Sequence, residues 1–339
     1  MDIVNGFAAA IGNTPLIRLQ SLAEETGCEI LGKAEFMNPG GSVKDRTALG
    51  ILAAAERNGA LRPGGTVVEG TAGNTGIAIA CLCHARGYRA VIVMPDNQSP
   101  EKYQALDALG AELHRVKAVP YADPNHYQRV AARIAAETPG AVWADQFDNT
   151  ANRDAHYATT GPEILRDTNG RIHAFVAATG TGGTLGGAGR YLKEHVPAVR
   201  IVLADPQGSS LFHWVTSGEL KANGPGSITE GIGIGRVTAN LAGTPIDRAI
   251  AVSDREAVEM VYRLLYGEGL LLGSASGVNV AAALAVAREL GPGHTVVTIL
   301  CDGGQKYQSR LYSHDWLTDK NLADAADAGR ALGRARRSC

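Results

Sequence analysis

An excess of charge of either sign is missing from this 339-residue chain: 32 Lys and Arg face 34 Asp and Glu, a formal net charge of −2 at pH 7. That balance removes the electrostatic reason to expect nucleic acid or a membrane surface as a partner. Cysteine is scarce, with Cys28, Cys81, Cys83, Cys301 and Cys339 an odd set of five. The C-x-C spacing of Cys81 and Cys83 makes neither a zinc pair nor a redox C-x-x-C, so the first four read as small buried apolar residues. The nine histidines contain no His-x-x-x-His or His-Glu-x-x-His pattern, and no catalytic metal is expected. No apolar run reaches the ~20 residues of a spanning helix, and no charged-then-apolar signal pattern opens the chain. A reducing cytoplasm is the expected compartment. Nor is there an internal repeat: the 42 glycines fall at turns, without a fixed period.

What is present is an ordinary globular composition, 45% hydrophobic and 19% charged, in a chain long enough for two domains. Short β-type runs alternate with helical patterns. Strands are expected at 16–19, 29–35, 66–69, 90–94, 112–116, 142–143, 174–178, 200–204, 249–252 and 295–300. Helices are expected at 21–26, 47–58, 77–86, 100–109, 125–138, 160–166, 185–195, 255–266 and 277–290, with Asp254 capping the second-last of these and Gly267 ending it. This rhythm predicts parallel sheet covered by helices.

Glycine-rich turns that follow strands and open helices lie at the carboxyl edge of such a sheet, where ligands bind. Gly180-Thr181-Gly182-Gly183-Thr184 can offer several N–H donors to an anion, and it fits a phosphate cradle or a tight structural turn. It is not a dinucleotide fingerprint, since Leu185 stands where Gly or Ala is needed, and no Walker loop follows. Thr71-Ala72-Gly73-Asn74-Thr75-Gly76 carries donors and acceptors that suit a small ligand or a helix cap. Gly273-Ser274-Ala275-Ser276-Gly277 presents hydroxyls or simply starts a helix. Asn38-Pro39-Gly40-Gly41-Ser42-Val43-Lys44-Asp45-Arg46 places one lysine where a turn becomes a helix. Backbone N–H groups and the Arg46 charge lower the proton affinity of such an amine, which can then attack a carbonyl. A solvated first-turn lysine shows the same pattern.

The ordered set Gly41-Ser42-Val43-Lys44-Asp45-Arg46, Gly73-Asn74-Thr75-Gly76 and Gly180–Thr184 resembles the β-family, fold type II, of pyridoxal 5'-phosphate (PLP) enzymes, and within it the cysteine synthases, or O-acetylserine sulfhydrylases. Supporting stretches are Gly12–Leu16, Gln146–Asn149, Thr160–Ile164 and Glu230–Gly233, so the resemblance spans roughly 12–317. It implies an α/β fold like the tryptophan synthase β chain, with two mostly parallel sheets flanked by helices. The domains expected are an arm at 1–12, a smaller domain at 36–152, a larger one at 13–35 plus 153–318, and a frayed or helical tail at 319–339 whose Arg330, Arg334, Arg336 and Arg337 are expected to be solvated. The resemblance further implies that Lys44 holds PLP covalently and moves the α-proton, that Asn74 bonds the cofactor's ring oxygen, and that Gly180, Thr181, Gly182, Gly183 and Thr184 hold its phosphate. Thr71, Gly73, Asn74 and Thr75, with Gln146, would grip the substrate α-carboxylate. The substrates implied are an amino acid and sulfide. A homodimer is implied, and the C-terminus of a serine acetyltransferase is an implied partner.

Two positions depart from the family pattern. Ala72 replaces a serine of the substrate loop. Ala275 stands where a serine usually meets the pyridine nitrogen, which leaves Ser276 or Ser274 as substitutes, or neither. Cystathionine β-synthase shares the core motifs, but neither a C-terminal regulatory domain nor a haem-binding extension is evident. Serine/threonine dehydratases share them more distantly. A non-catalytic PLP-binding paralogue would fit Ala72 and Ala275, although Lys44, Asn74 and Gln146 are intact.

Overall fold

Val, Ile and Ala crowd the central strands on both faces, which suits parallel strands covered by helices on each side. The computed structural model, which describes residues 3–335, is built this way. Its first half runs α1 (Gly6–Ala9), β1 (Leu16–Arg18), α2 (Gln20–Thr26), β2 (Glu29–Lys33), α3 (Lys44–Arg57), β3 (Thr66–Gly70), α4 (Asn74–Arg86), β4 (Arg89–Pro95), α5 (Pro100–Ala108), β5 (Glu112–Val116), α6 (Tyr127–Glu137) and β6 (Ala141–Trp143). Its second half runs α7 (Ala151–Ala158), α8 (Thr160–Asp167), β7 (Ala174–Ala178), α9 (Gly183–His195), β8 (Arg200–Pro206), α10 (Leu211–Ser217), β9 (Arg248–Val252), α11 (Asp254–Glu268), α12 (Ser274–Leu290), β10 (Thr295–Ile299), α13 (His314–Asp319) and α14 (Ala323–Arg334).

Strands β3–β6 form a four-stranded parallel sheet in the order β5-β4-β3-β6. The other six pair as β1-β2-β10-β7-β8-β9, parallel except for the edge pair β1 and β2. The period of two along a strand splits each core in half. In β7, Ala174 and Val176 enter one hydrophobic cluster, while Phe175 and Ala177 enter the cluster on the opposite face. Val67 and Val68 divide the smaller sheet's core in the same way.

Four helices begin two or three residues earlier than their apolar periodicity indicates: α3 at Lys44 rather than 47, α4 at Asn74 rather than 77, α9 at Gly183 rather than 185, and α12 at Ser274 rather than 277. Their first turns are made of glycine, polar residues and one alanine, which carry little hydrophobic signal. The chemically interesting residues therefore occupy helix N-termini, where backbone N–H groups lack partners within the helix. Helix α11 is capped by Ser253, not Asp254: the Ser253 side chain accepts from the Glu256 N–H, and Glu256 returns the bond as a capping box. Gly267 lies inside that helix, and left-handed Gly269 (φ 73°) ends it. Helices α7 and α10 were not expected.

The segment after Asp319 takes the helical of its two expected forms. Helix α14 lays Ala325, Ala326, Gly329 and Gly333 against α11, where a Cβ on Gly329 would fall 2.2 Å from the Glu259 carbonyl oxygen. The Arg330 and Arg334 guanidinium groups stack over Tyr262 (4.8 Å) and Tyr266 (4.7 Å); Arg330 is half-buried by this contact, while Arg334 stays exposed as expected. Arg336, Arg337 and Cys339 lie outside the described residues. Among the described residues no helix is long and apolar enough to cross a membrane, and all four described cysteines are free thiols. Cys28 and Cys83 are buried, whereas Cys81 and Cys301 are only partly so.

Candidate active site

The carboxyl ends of both sheets face a cavity of about 140 Å³, which meets a smaller lobe of about 20 Å³. Lys44, Thr71, Gly73, Asn74, Thr75, Gln146, Gly180 and Thr181 line the larger space, and Lys44 with Gly180–Thr184 lines the lobe. Three separate turns of the sequence are thereby brought to one place.

Lys44 opens α3, and its turn is tightened by a bond from the Gly40 N–H to Asp45 Oδ2 (2.5 Å) and by left-handed Gly41 (φ 78°). Burial pushes the Lys44 amine below its usual range and Lys102 acts in the same direction, against the pull of Asp302. More of the amine is then unprotonated at neutral pH, the form that attacks a carbonyl or accepts a proton. Behind it Arg46 is clamped between two carboxylates: Nε reaches Glu35 Oε2 (2.8 Å), and Nη1 reaches Glu163 Oε1 (2.7 Å). Lys33, fully buried, adds a 2.7 Å contact to Glu163. Burial alone would raise the Glu163 carboxyl, yet Arg46 and Lys33 hold it down at about 2. This buried cluster fixes the direction in which α3 starts.

Residues 71–75 wrap the N-terminus of α4. Gly73 has φ 132°, and a Cβ there would meet Lys102 Cδ at 2.4 Å, so only glycine fits. Its N–H donates to Thr71 Oγ1 (3.0 Å). Thr75 Oγ1 donates to Gln146 Oε1 (2.5 Å), and Gln146 Nε2 donates to Glu69 Oε1 (2.8 Å) and to the Gly70 carbonyl (3.1 Å). Asn74 Nδ2 donates to Asp302 Oδ2 (2.8 Å), and its Oδ1 accepts from Lys306 Nζ (3.2 Å). The result is a half-open ring of donors at a helix N-terminus, which suits a carboxylate.

The Gly180–Thr184 turn begins α9 and is almost wholly buried. Its glycines are required by contact: a Cβ on Gly180 would fall 2.0 Å from the Gly231 carbonyl oxygen, and one on Gly183 2.1 Å from Asn152 Oδ1. Backbone N–H groups and two threonine hydroxyls converge there, a donor set suited to an acceptor-only phosphate. With an amine of lowered proton affinity in the same cavity, these residues fit PLP.

Ser276 does not line the cavity. Because α12 starts at Ser274, each successive residue turns by about 100°. Ala275 takes the cavity wall, while Ser276 turns inward and its fully buried Oγ accepts the Cys301 N–H (2.9 Å). Ser274 is buried as well. The wall beside Ala275 comprises Cys301, expected only as a small buried apolar residue, and Asp302. Asp302 holds Asn74 and also accepts from Tyr307 Oη (2.6 Å). Lys102 and Glu230, paired at 2.5 Å, close the rim. The first comes from the smaller sheet's α5 and the second from a loop of the larger part. No motif marked Lys102, whereas Glu230 sat inside a stretch already singled out.

The profile of the pyridoxal-phosphate dependent enzymes matches residues 7–302. The chain is 56% identical over 327 residues to cysteine synthase 1 of Neurospora crassa, covering 95% of this chain and 87% of that protein. It is 40% identical over 317 residues to the cystathionine beta-synthase of Oryctolagus cuniculus, covering 93% of this chain but 57% of that protein. Among solved structures it resembles the O-acetylserine dependent cystathionine beta-synthase from Helicobacter pylori, with a TM-score of 0.82 and 33% identity over 91% of this chain and 99% of that one.

Proposed function

The chain belongs to the family of pyridoxal-phosphate dependent enzymes, and on that premise we propose that it is a cysteine synthase, replacing the acetate of O-acetyl-L-serine with sulfide to give L-cysteine. The observation that carries this reading is the meeting, in one cavity, of an amine of lowered proton affinity, a carboxylate-binding helix N-terminus and a phosphate cradle. Bound PLP supplies an electron sink that acidifies the Cα–H of an amino acid joined to it. Thr181, Thr184 and the adjoining backbone hold the phosphate. Asn74, kept in orientation by Asp302 and Lys306, would bond the cofactor's ring oxygen. Thr71, Gly73, Asn74 and Thr75, with Gln146 behind them, hold the α-carboxylate and so aim Cα–H at Lys44 Nζ. That amine takes the α-proton as acetate departs and returns it after sulfide has added. The rim pair Lys102–Glu230 keeps water from the reacting carbon while the cavity is shut.

High identity to cysteine synthases supports sulfide as the acceptor, and the 40% relative supports homocysteine as the competing one. The protein works as a homodimer in the cytoplasm, and the carboxylate site can receive the C-terminal carboxylate of a serine acetyltransferase. Absorbance of the PLP-loaded protein tests the reaction. A visible band that shifts with O-acetyl-L-serine, and returns with sulfide as cysteine is released, is the expected result. A response to L-serine plus homocysteine alone would make the enzyme a cystathionine β-synthase. Failure to develop any cofactor band with added PLP would overturn both.

A further inference from the structure

Two buried side chains behind the phosphate cradle have no part in the mechanism above. Asn152 and His156 are fully buried on α7 and, four residues apart, share one helix face. Asn152 Nδ2 donates to Thr181 Oγ1 (2.9 Å), and His156 Nε2 lies 3.3 Å from Thr184 Oγ1. Both also meet Thr47, three residues along α3 from Lys44. Thr47 Oγ1 donates to Asn152 Oδ1 (2.9 Å) and lies 3.5 Å from His156 Nε2. The other ring nitrogen, Nδ1, is 2.9 Å from Thr160 Oγ1. The approach is close enough that a Cβ on Gly187 would fall 2.7 Å from His156 Cβ.

Fixed donors set the direction of these bonds. The Asn152 amide nitrogen can only donate, and the Gly183 N–H donates to the same Thr181 oxygen (3.3 Å). Thr181 thus accepts twice from behind, which leaves its own proton for a partner in the cavity. His156 is neutral, since burial and the charges of Arg46 and Lys44 push its imidazole well below the usual range against Glu163. With its single ring proton on Nε2, the ring donates to Thr184 and accepts the Thr160 hydroxyl at Nδ1. The Thr184 proton is then free as well. A phosphate presents only acceptors, so it selects this tautomer.

From this geometry we infer that Asn152 and His156 are positioning residues that aim the Thr181 and Thr184 hydroxyls at the cofactor phosphate, and that Thr47 couples them to the helix carrying Lys44. The inference rests on residues 180–184 being the phosphate cradle. Apoprotein titrated with PLP, and separately with pyridoxal, which lacks the phosphate, tests it by absorbance. His156→Leu and Asn152→Leu should each weaken PLP binding by about tenfold or more while changing pyridoxal binding by less than about twofold. His156→Gln, whose amide can donate from a similar place, should recover most of the PLP affinity. Equal losses for both ligands, or no loss for PLP, would overturn the positioning role. A wild-type protein with no preference for PLP over pyridoxal would instead overturn the cradle itself. Should the leucine variants not fold, the polar replacements Asn152→Asp and His156→Asn take their place under the same criteria.

Discussion

Two turns of one design meet in the cavity, and they are held in opposite ways. Residues 71–75 and 180–184 each leave a parallel strand, pass through glycine and start a helix. The second is braced from inside its own part of the molecule. Asn152 and His156 back its threonines, and Thr238 Oγ1 donates to the Thr181 carbonyl (2.8 Å). Residues 71–75 have one internal brace, from Thr75 to Gln146, and are otherwise tied across the cleft, through Asn74 to Asp302 and Lys306 and through neighbouring Lys102 to Glu230. Ala72 and Asn74 keep partial exposure, whereas Gly180–Gly183 have none to speak of. Braces within one body suit a group that stays bound. Ties across a cleft can be exchanged as substrate enters and product leaves.

The largest effect that separates the two turns is loss of the lysine between them. Lys44→Ala should lower turnover by about 10³-fold or more. The cradle should still take up PLP without the covalent link, as equilibrium dialysis would register. Turnover surviving the change would mean that Lys44 carries no proton, whereas an unchanged partner complex with no turnover even in wild type would favour a non-catalytic scaffold. Next comes Gln146→Ala, which strips Thr75 and Glu69 of a partner while leaving the cradle untouched. The KM for O-acetyl-L-serine should rise by about 100-fold with the PLP dissociation constant steady within about twofold. A parallel loss of cofactor affinity would show that the two turns are not held independently.

How much of this was legible depended on whether a residue's signal was apolar. Strands β5 and β7 fall at the expected residues 112–116 and 174–178, and Lys44, Asn74 and Thr181, marked in the sequence by their glycine settings, line the cavity. Helix α7 was invisible because the face it buries is polar: Asn152 and His156 point inward, so the usual apolar stripe is absent. Helix α14 was legible only as one of two forms for a related reason, since its packed face is Ala and Gly, small residues that weigh little in any hydrophobic pattern. Sheet order and the rim pair Lys102–Glu230 depend on contacts between distant segments, and nothing local encodes them. Ser276 misled because a motif aligned by its glycines fixes spacing along the chain but not the direction in which each side chain points.

The subtlest difference lies in the glutamates behind the lysine turn and the substrate turn. Glu163 is held at about 2 by Arg46 and Lys33 against the effect of burial, whereas Glu69, fully buried behind Gln146, is raised to about 8 by burial that the Gln146 bonds only partly offset. Glu69 binds its proton more tightly in the folded chain than in the unfolded one. Its contribution is therefore fully present below the ordinary value of 4.5 and is lost as pH rises toward about 8. Glu163 runs the other way: its contribution is present above 4.5 and is lost only as pH falls toward about 2. Between pH 5.5 and 7.5 the slope from Glu69 alone is up to about 1.4 kcal/mol per pH unit. Glu69→Gln keeps an acceptor for Gln146 and removes the titration. Asp45 and Asp205, raised to about 7 and about 6 by burial, titrate in both proteins and cancel in the difference. Urea unfolding at the two pH values should show the wild type losing about 2 kcal/mol more than the variant. Parallel pH dependences would mean that Glu69 is already ionised behind Gln146, and that the substrate turn, like the lysine turn, is held by charge.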